Sequence, residues 1–88
     1  MHQIEYRNKN EYFLKAVNEQ NAAKVKTFLQ GEVDVNYKDE KGGFTALMRA
    51  CLLGNKEIVK LILKNRPIID IQNNLNKTAL MVIFLFVL

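Results

Sequence analysis

One stretch of this sequence recurs at a nearly constant distance, and this recurrence constrains the fold more than any other feature. The segment KVKTFLQ at 24–30 aligns with IVKLILK at 58–64, a shift of 34 residues. The segment FTALM at 44–48 aligns with KTALM at 77–81, a shift of 33 residues. A period between about 20 and 50 residues is typical of solenoids, in which each unit buries its apolar face against its neighbours. We therefore predict a stack of two complete units and the beginning of a third.

Each unit is predicted to contain two helices and a turn. Thr45 is a suitable N-cap for a short apolar helix at 46–53, because its hydroxyl can accept a backbone hydrogen bond from the first turn. Gly54 tolerates the left-handed backbone that ends such a helix. The second helix, at 56–64, has a wide apolar face. Three lysines share its opposite side and are interpreted as a solvated face: Lys56, Lys60 and Lys64.

The order and spacing of these residues are similar to those of a known repeat family. The segment GFTALMRACLLGNKEIVKLILKNRPIIDIQN at 43–73 resembles the ankyrin repeat, and GEVDVNYKDEKGGFTAL at 31–47 resembles the hairpin loop of that family. The resemblance covers about 10–80. It implies an all-α ankyrin-repeat solenoid, in which paired antiparallel helices are joined by hairpin-like loops.

The same resemblance divides the chain into three parts. Residues 1–9 are predicted to form an N-terminal extension. Ankyrin repeats are expected over 10–78, with the two complete units at about 10–43 and 44–76. Residues 79–88 are expected to form the first helix of an incomplete third repeat and to end in an apolar tail.

Side chains that commonly carry catalysis are scarce in this sequence. Cys51 is the only cysteine and is predicted to be a small core residue. His2 is the only histidine, so no second one exists to complete a metal or acyl-transfer site. Asp34, Asp39 and Glu40 fall near one loop and are interpreted as part of a solvated turn. We therefore predict that the chain is not an enzyme and has no metal or cofactor.

The resemblance instead implies that the chain binds another protein. In a repeat stack the short first helices and the hairpin tips form a concave surface on which partners dock. Tyrosine, phenylalanine and arginine often anchor such contacts, which favours Tyr37, Phe44 and Arg49. Leu52 and Leu53 belong to the same surface, although a neighbouring repeat could cover them instead. The complete set of candidate contact residues is Tyr37, Lys38, Glu40, Lys41, Phe44, Arg49, Leu52 and Leu53.

Charge and targeting features restrict the partner and the compartment. The net charge of +4 is spread along the chain without a block of like charges, so no nucleic-acid partner is predicted. The N-terminus lacks the apolar run of a signal peptide, and a lone cysteine fits a reducing compartment. A cytoplasmic location is predicted, with secretion into a host cell without a signal peptide as the alternative.

The segment TALMVIFLFVL at 78–88 raises two further hypotheses. Ten apolar residues of helix extend about 15 Å, against about 30 Å for a bilayer core, so we do not expect a membrane partner. An exposed apolar helix would favour a homo-oligomer through Phe84, Phe86 and Leu88. Two alternatives to the protein-binding module therefore stay open. One is a truncated, self-associating repeat fragment without independent function, and the other is a membrane-associated adaptor that uses this segment.

Overall fold

Two helix pairs stand side by side in the computed structural model, which describes the backbone of residues 2–82 and the side chains of residues 9–82. The helices are α1 (His2–Asn18), α2 (Ala22–Gln30), α3 (Ala46–Leu53) and α4 (Lys56–Leu63). A further helix begins at Ala79 and is described as far as Val82. α1 packs against α2 and α3, and α4 packs against α3 and α2. No residue in 2–82 is in a β-strand, and the predicted all-α solenoid of helix pairs is confirmed.

Side-chain caps explain where most of these helices begin. The hydroxyl of Thr45 accepts a hydrogen bond from the backbone N–H of Met48 (3.3 Å), as the sequence predicts. Thr78 receives the equivalent bond from Met81 (3.4 Å), so the third unit starts in the same way as the second. α3 ends at Gly54, whose φ of 69° is left-handed, and the predicted stop is also confirmed.

Helix α1 is longer than the repeat pattern predicts. Residues 1–9 are predicted to be an extension before the repeats, and residues 2–9 of that segment continue α1 toward the N-terminus. Thr45 of the second unit corresponds to Glu11 of the first, 34 positions earlier. Glutamate is a good helix former and a poor N-cap, and residues 2–18 contain neither glycine nor proline. Helix α1 therefore continues through Glu11, the position equivalent to the one at which α3 is capped.

The core lies between the four helices. Its largest fully buried side chains are Phe13, Val17, Val25, Met48, Ile58 and Ile62. The rings of Phe13 and Phe28 meet edge to face, with centroids 6.3 Å apart. Cys51 is 4% exposed and belongs to this core, as its predicted role requires. Each large apolar side chain that is fully buried stabilises the fold by about 1.5–3 kcal/mol, so α2 and α4 are fixed mainly by the few residues that they bury.

The loops that connect the pairs are held by hydrogen bonds to their neighbours. The first loop (31–45) connects α2 to α3. The backbone N–H of its Asp34 donates to the side-chain oxygen of Asn10 on α1 (2.8 Å). The second loop (64–78) follows α4. The backbone N–H of its Asn74 donates to the carbonyl oxygen of Gly42 in the first loop (2.8 Å). The first loop is therefore tied to a helix on one side and to the second loop on the other. These contacts position the surface described next.

Candidate functional site

A groove of about 340 Å³ lies between the first helices of the two units and the loop that connects α2 to α3. Leu14, which is 5% exposed, is the most deeply buried of its lining residues, and Tyr37 is half-buried. The other lining residues are polar or charged: Glu11, Lys15, Asn18, Asp39, Glu40, Lys41 and Arg49. The groove thus combines an apolar floor with walls that carry both signs of charge.

Asp39 organises the loop that forms one wall of the groove. Its Oδ1 accepts hydrogen bonds from the backbone N–H groups of Lys41 (3.2 Å) and Phe44 (3.1 Å). Its backbone N–H donates to the carbonyl oxygen of Phe44 (2.9 Å), which closes the turn. Its Oδ2 forms an ion pair with Nη2 of Arg49 at 2.9 Å. One carboxylate therefore folds the loop and fastens it to helix α3.

This environment lowers the pKa of the Asp39 carboxyl group below its ordinary value. Partial burial acts in the opposite direction, because it disfavours the charged form. The hydrogen bond from Arg49, the N–H of Phe44, the positive charge of Arg49 and the N–H of Lys41 outweigh it. Asp39 is consequently an ionised structural group at neutral pH. It is not suited to act as a general acid there, since such an acid needs a raised pKa.

Arg49 and Phe44 contact each other. The guanidinium carbon of Arg49 lies 4.3 Å from the centre of the Phe44 ring, a cation–π arrangement. Nε of Arg49 is buried and makes no hydrogen bond. Two of the three side chains that we nominated as binding anchors, Phe44 and Arg49, are thus held by Asp39 and by each other, and together they fix the shape of the groove wall.

The second loop repeats this design without the charge. Asn73 corresponds to Asp39, and its Oδ1 accepts hydrogen bonds from the backbone N–H groups of Leu75 (2.8 Å) and Lys77 (3.0 Å). Val82 corresponds to Arg49, 33 positions later, so no cation stands opposite. Asn73 is 4% exposed, and a carboxylate at such a depth would lack a partner. The charged wall is therefore specific to the first loop.

The lysines of the groove are the side chains most available to a ligand. Lys15 and Lys41 are exposed, and no ion pair joins either of them to another side chain in the described part of the chain. Glu11, in contrast, accepts a hydrogen bond from the hydroxyl of Tyr37 (3.4 Å), which connects α1 to the loop. A partner that approaches the groove would first meet the two lysines.

The structure brings together half of the residues that we predicted as contacts. Four of them line the groove: Tyr37, Glu40, Lys41 and Arg49. The other four lie outside its lining: Lys38, Phe44, Leu52 and Leu53. Leu52 and Leu53 are 37% and 39% exposed, so no described residue covers them as a neighbouring repeat would.

Five lining residues are not among the predicted contacts: Glu11, Leu14, Lys15, Asn18 and Asp39. The predicted contacts come from the first loop and from α3, and none of them lies on α1. Glu11, Leu14, Lys15 and Asn18 are spaced three, four and seven residues apart, which is one face of a helix. This spacing could have identified them.

The described residues offer little for catalysis or metal binding. Among them, no group of three or more histidine, cysteine or acidic side chains is placed to hold a metal ion. Burial raises the pKa of the Cys51 thiol, which keeps it protonated and unreactive at neutral pH. Within the same part of the chain, each helix is too short or too polar to cross a bilayer. Phe84, Phe86 and Leu88, predicted as an oligomer contact, lie outside the described residues.

Comparisons with known proteins agree with the repeat architecture. A family model described as ankyrin repeats, in three copies, matches residues 13–84. The human 2-5A-dependent ribonuclease is 34% identical to this chain over 56 residues. That alignment covers 64% of this chain but only 8% of the ribonuclease. The activity in its name belongs to that protein, and the likeness concerns a small part of it.

Proposed function

This chain belongs to the ankyrin repeat family, whose repeats are generally protein–protein interaction modules, and we propose that it binds a partner protein in the groove between α1, α3 and the first loop. The observation that carries this proposal is the preformed wall around Asp39. A wall whose carboxylate, guanidinium and ring already hold one another loses little conformational entropy when a partner binds.

The chemistry of the groove indicates how a partner segment would be held. Leu14 and Tyr37 offer an apolar floor for one or two aliphatic or aromatic side chains. Lys15 and Lys41 offer two cations at the rim, where they can steer an acidic segment and select its orientation. Binding of this kind requires no chemical step from the chain. The cytoplasmic location stays a prediction.

The test compares two charge-reversal variants in a selection for binders. A library of displayed peptides is selected against the wild-type chain, and the selected peptides are then titrated against both variants. Lys15→Glu with Lys41→Glu alters the groove. Lys24→Glu with Lys26→Glu makes the same change in net charge on α2, whose two lysines are also exposed and lie outside this groove.

We expect the groove variant to weaken binding by about tenfold or more, which corresponds to roughly 1.4 kcal/mol. The α2 variant should bind within about twofold of wild type, because long-range charge effects are screened beyond about 10 Å at 0.1 M salt. Circular dichroism would verify that both variants keep their helices. If the α2 variant lost binding and the groove variant did not, the proposed surface would be wrong.

A further inference from the structure

A second groove, of about 280 Å³, lies at the other end of the stack, next to the helix that begins at Ala79. Its large aliphatic lining residues are Leu47 of α3, Val59 and Leu63 of α4, Ile69 and Leu80. Leu63 is 46% exposed, Ile69 62% and Leu80 73%. Large aliphatic side chains are thus left uncovered on a face whose equivalent in the first unit is closed.

The repeat shows what closes the equivalent groove one unit earlier. Val59, Leu63 and Ile69 correspond to Val25, Leu29 and Val35, each 34 positions earlier. Val25 is fully buried, whereas Leu29 and Val35 are partly buried against the core. The helix of the second unit that packs against α2 is α4. α4 therefore shows what kind of element can pack against a groove of this composition.

That occupant is a short helix with two branched aliphatic residues four positions apart. α4 buries Ile58 and Ile62 completely, and their spacing places both on one face of the helix. The open groove should accept a helix of the same pattern, because Val59 and Leu63 are identical to Val25 and Leu29, and Ile69 is larger than Val35 by only one methylene group.

A second copy of the chain does not supply such a helix. Ile58 and Ile62 of a second copy are already buried in its own core. On the opposite end of the stack, the positions equivalent to them are Lys24 and Phe28. Lys24 and two further charged residues, Lys15 and Glu19, line the depression there. Head-to-tail stacking would press these charges against an apolar groove, which is costly.

Charge around the open groove specifies the partner further. Successive residues of a helix are rotated by about 100° around its axis. Lys56 and Lys60 are therefore rotated by about 60° and 100° from Val59, which places both lysines on the solvent side of the groove. Lys77 is exposed beside Thr78, another lining residue. Asp70 is the one acidic side chain in the lining. The surroundings are therefore net positive, so two copies placed groove to groove would repel each other.

From these observations we infer that the groove at the Ala79 end docks an acidic amphipathic helix of a partner protein, through two branched aliphatic side chains at positions i and i+4. Aliphatic pairs supply the contact, and acidic residues on the flanks of the helix meet Lys56 and Lys60. This site is separate from the groove beside Asp39 and does not depend on it.

The probe is a pair of peptides that carry the sequence of α4 itself, residues 55–65, with blocked ends and a hydrocarbon staple between positions 57 and 61 to hold the helix. One keeps its three lysines. In the other they are replaced as Lys56→Glu, Lys60→Glu and Lys64→Glu. Fluorescence anisotropy then measures the affinity of each peptide for the full chain at several salt concentrations.

We expect the glutamate peptide to bind about tenfold more tightly than the lysine peptide at low salt, and this ratio should shrink as salt is added. In the protein, the double variant Lys56→Glu with Lys60→Glu should reverse the preference. Leu63→Gln with Leu80→Gln should weaken binding of the glutamate peptide by about tenfold or more. Leu75→Gln is the matched control, because Leu75 is 71% exposed and lies outside the groove.

Several results would overturn the inference. Equal affinity of the two peptides, or no binding of either, would remove the acidic helix as occupant. A dimer in sedimentation velocity that the Leu63 and Leu80 substitutions dissociate would make a second copy the occupant. A much lower urea midpoint for that double variant than for Leu75→Gln would show that the chain covers this groove itself.

Discussion

The ion pair of Asp39 with Arg49 gives the most direct test of how the first loop is built. Asp39→Asn keeps an oxygen that can accept the two backbone hydrogen bonds, and Asn73 demonstrates this geometry in the second loop. It removes the charge opposite Arg49. A charge-assisted hydrogen bond contributes about 1.5–3 kcal/mol when buried, and this pair is partly exposed, so a loss of about 1–2 kcal/mol is expected.

Asp39→Ala is the informative comparison. It removes the ion pair and also leaves the backbone N–H groups of Lys41 and Phe44 without their acceptor. Each lost hydrogen bond adds about 0.5–1.5 kcal/mol, so the total should reach about 3 kcal/mol. Urea unfolding at pH 7, followed by circular dichroism at 222 nm, measures both variants against wild type. Equal losses for Asn and Ala would refute the division of roles between the two carboxylate oxygens.

The same pair predicts how stability depends on pH. The pKa of Asp39 is lowered in the folded state, so its contribution is present above the unfolded pKa of about 3.9 and is lost as the pH falls through the lower folded value. Asp39→Asn should remove this part of the acid sensitivity, and its stability should approach that of wild type at the lowest pH. An unchanged difference between the two proteins from pH 7 to pH 2 would contradict the assignment.

Three further predictions concern the backbone and the core. Gly54→Ala and Gly43→Ala both place a side chain at a φ near +70°, but a Cβ at residue 54 meets open space, whereas one at residue 43 would lie 2.6 Å from Oδ1 of Asn74. Urea unfolding should therefore show a loss of stability of about 1 kcal/mol for Gly54→Ala and about 2 kcal/mol for Gly43→Ala. Adding Asn74→Ala to the Gly43→Ala variant should recover the difference. Gln20→Gly and Gln20→Ala, at the left-handed position equivalent to Gly54, both remove the hydrogen bond that Gln20 Oε1 accepts from Asn55 (3.2 Å). The glycine variant should have the higher thermal midpoint, because it relieves up to about 1 kcal/mol of backbone strain, and equal midpoints would argue against that strain. The Cys51 thiol should react with an aromatic disulfide reagent far more slowly in the folded chain than in 6 M guanidinium, because burial both shields it and raises its pKa; equal rates would place it at the surface.

The helix boundaries of the second unit could be predicted from the sequence because local chemistry determines them. A hydroxyl at Thr45 and a left-handed glycine at Gly54 act within one turn of the helix that they begin or end. The start of α1 could not be predicted by the same means. The position equivalent to Thr45 in the first unit is Glu11, which is a poor N-cap, so the repeat offers no local signal for the start of α1.

The groove was predicted less completely, since its wall depends on contacts between distant residues. In the sequence, Asp39 looks like one acid of a solvated turn, because lysines flank it on both sides. Its partner, Arg49, is ten residues away on a helix whose orientation only the fold determines. Arg49 and Phe44 were nominated by residue type, which cannot show that the two side chains contact each other.

The two loops indicate how one repeat backbone can present different surfaces. Both turns are closed by a side-chain oxygen at equivalent positions, Asp39 and Asn73, so turn geometry does not require the charge. The charge appears only where Arg49 can pair with it, and Val82 replaces that cation in the next unit. Paired differences of this kind leave the fold unchanged while they make one wall ionic and the next neutral. The polar groove therefore belongs to the junction of the first and second units, and the surface at the Ala79 end has to depend on aliphatic contact and on the lysines of α4.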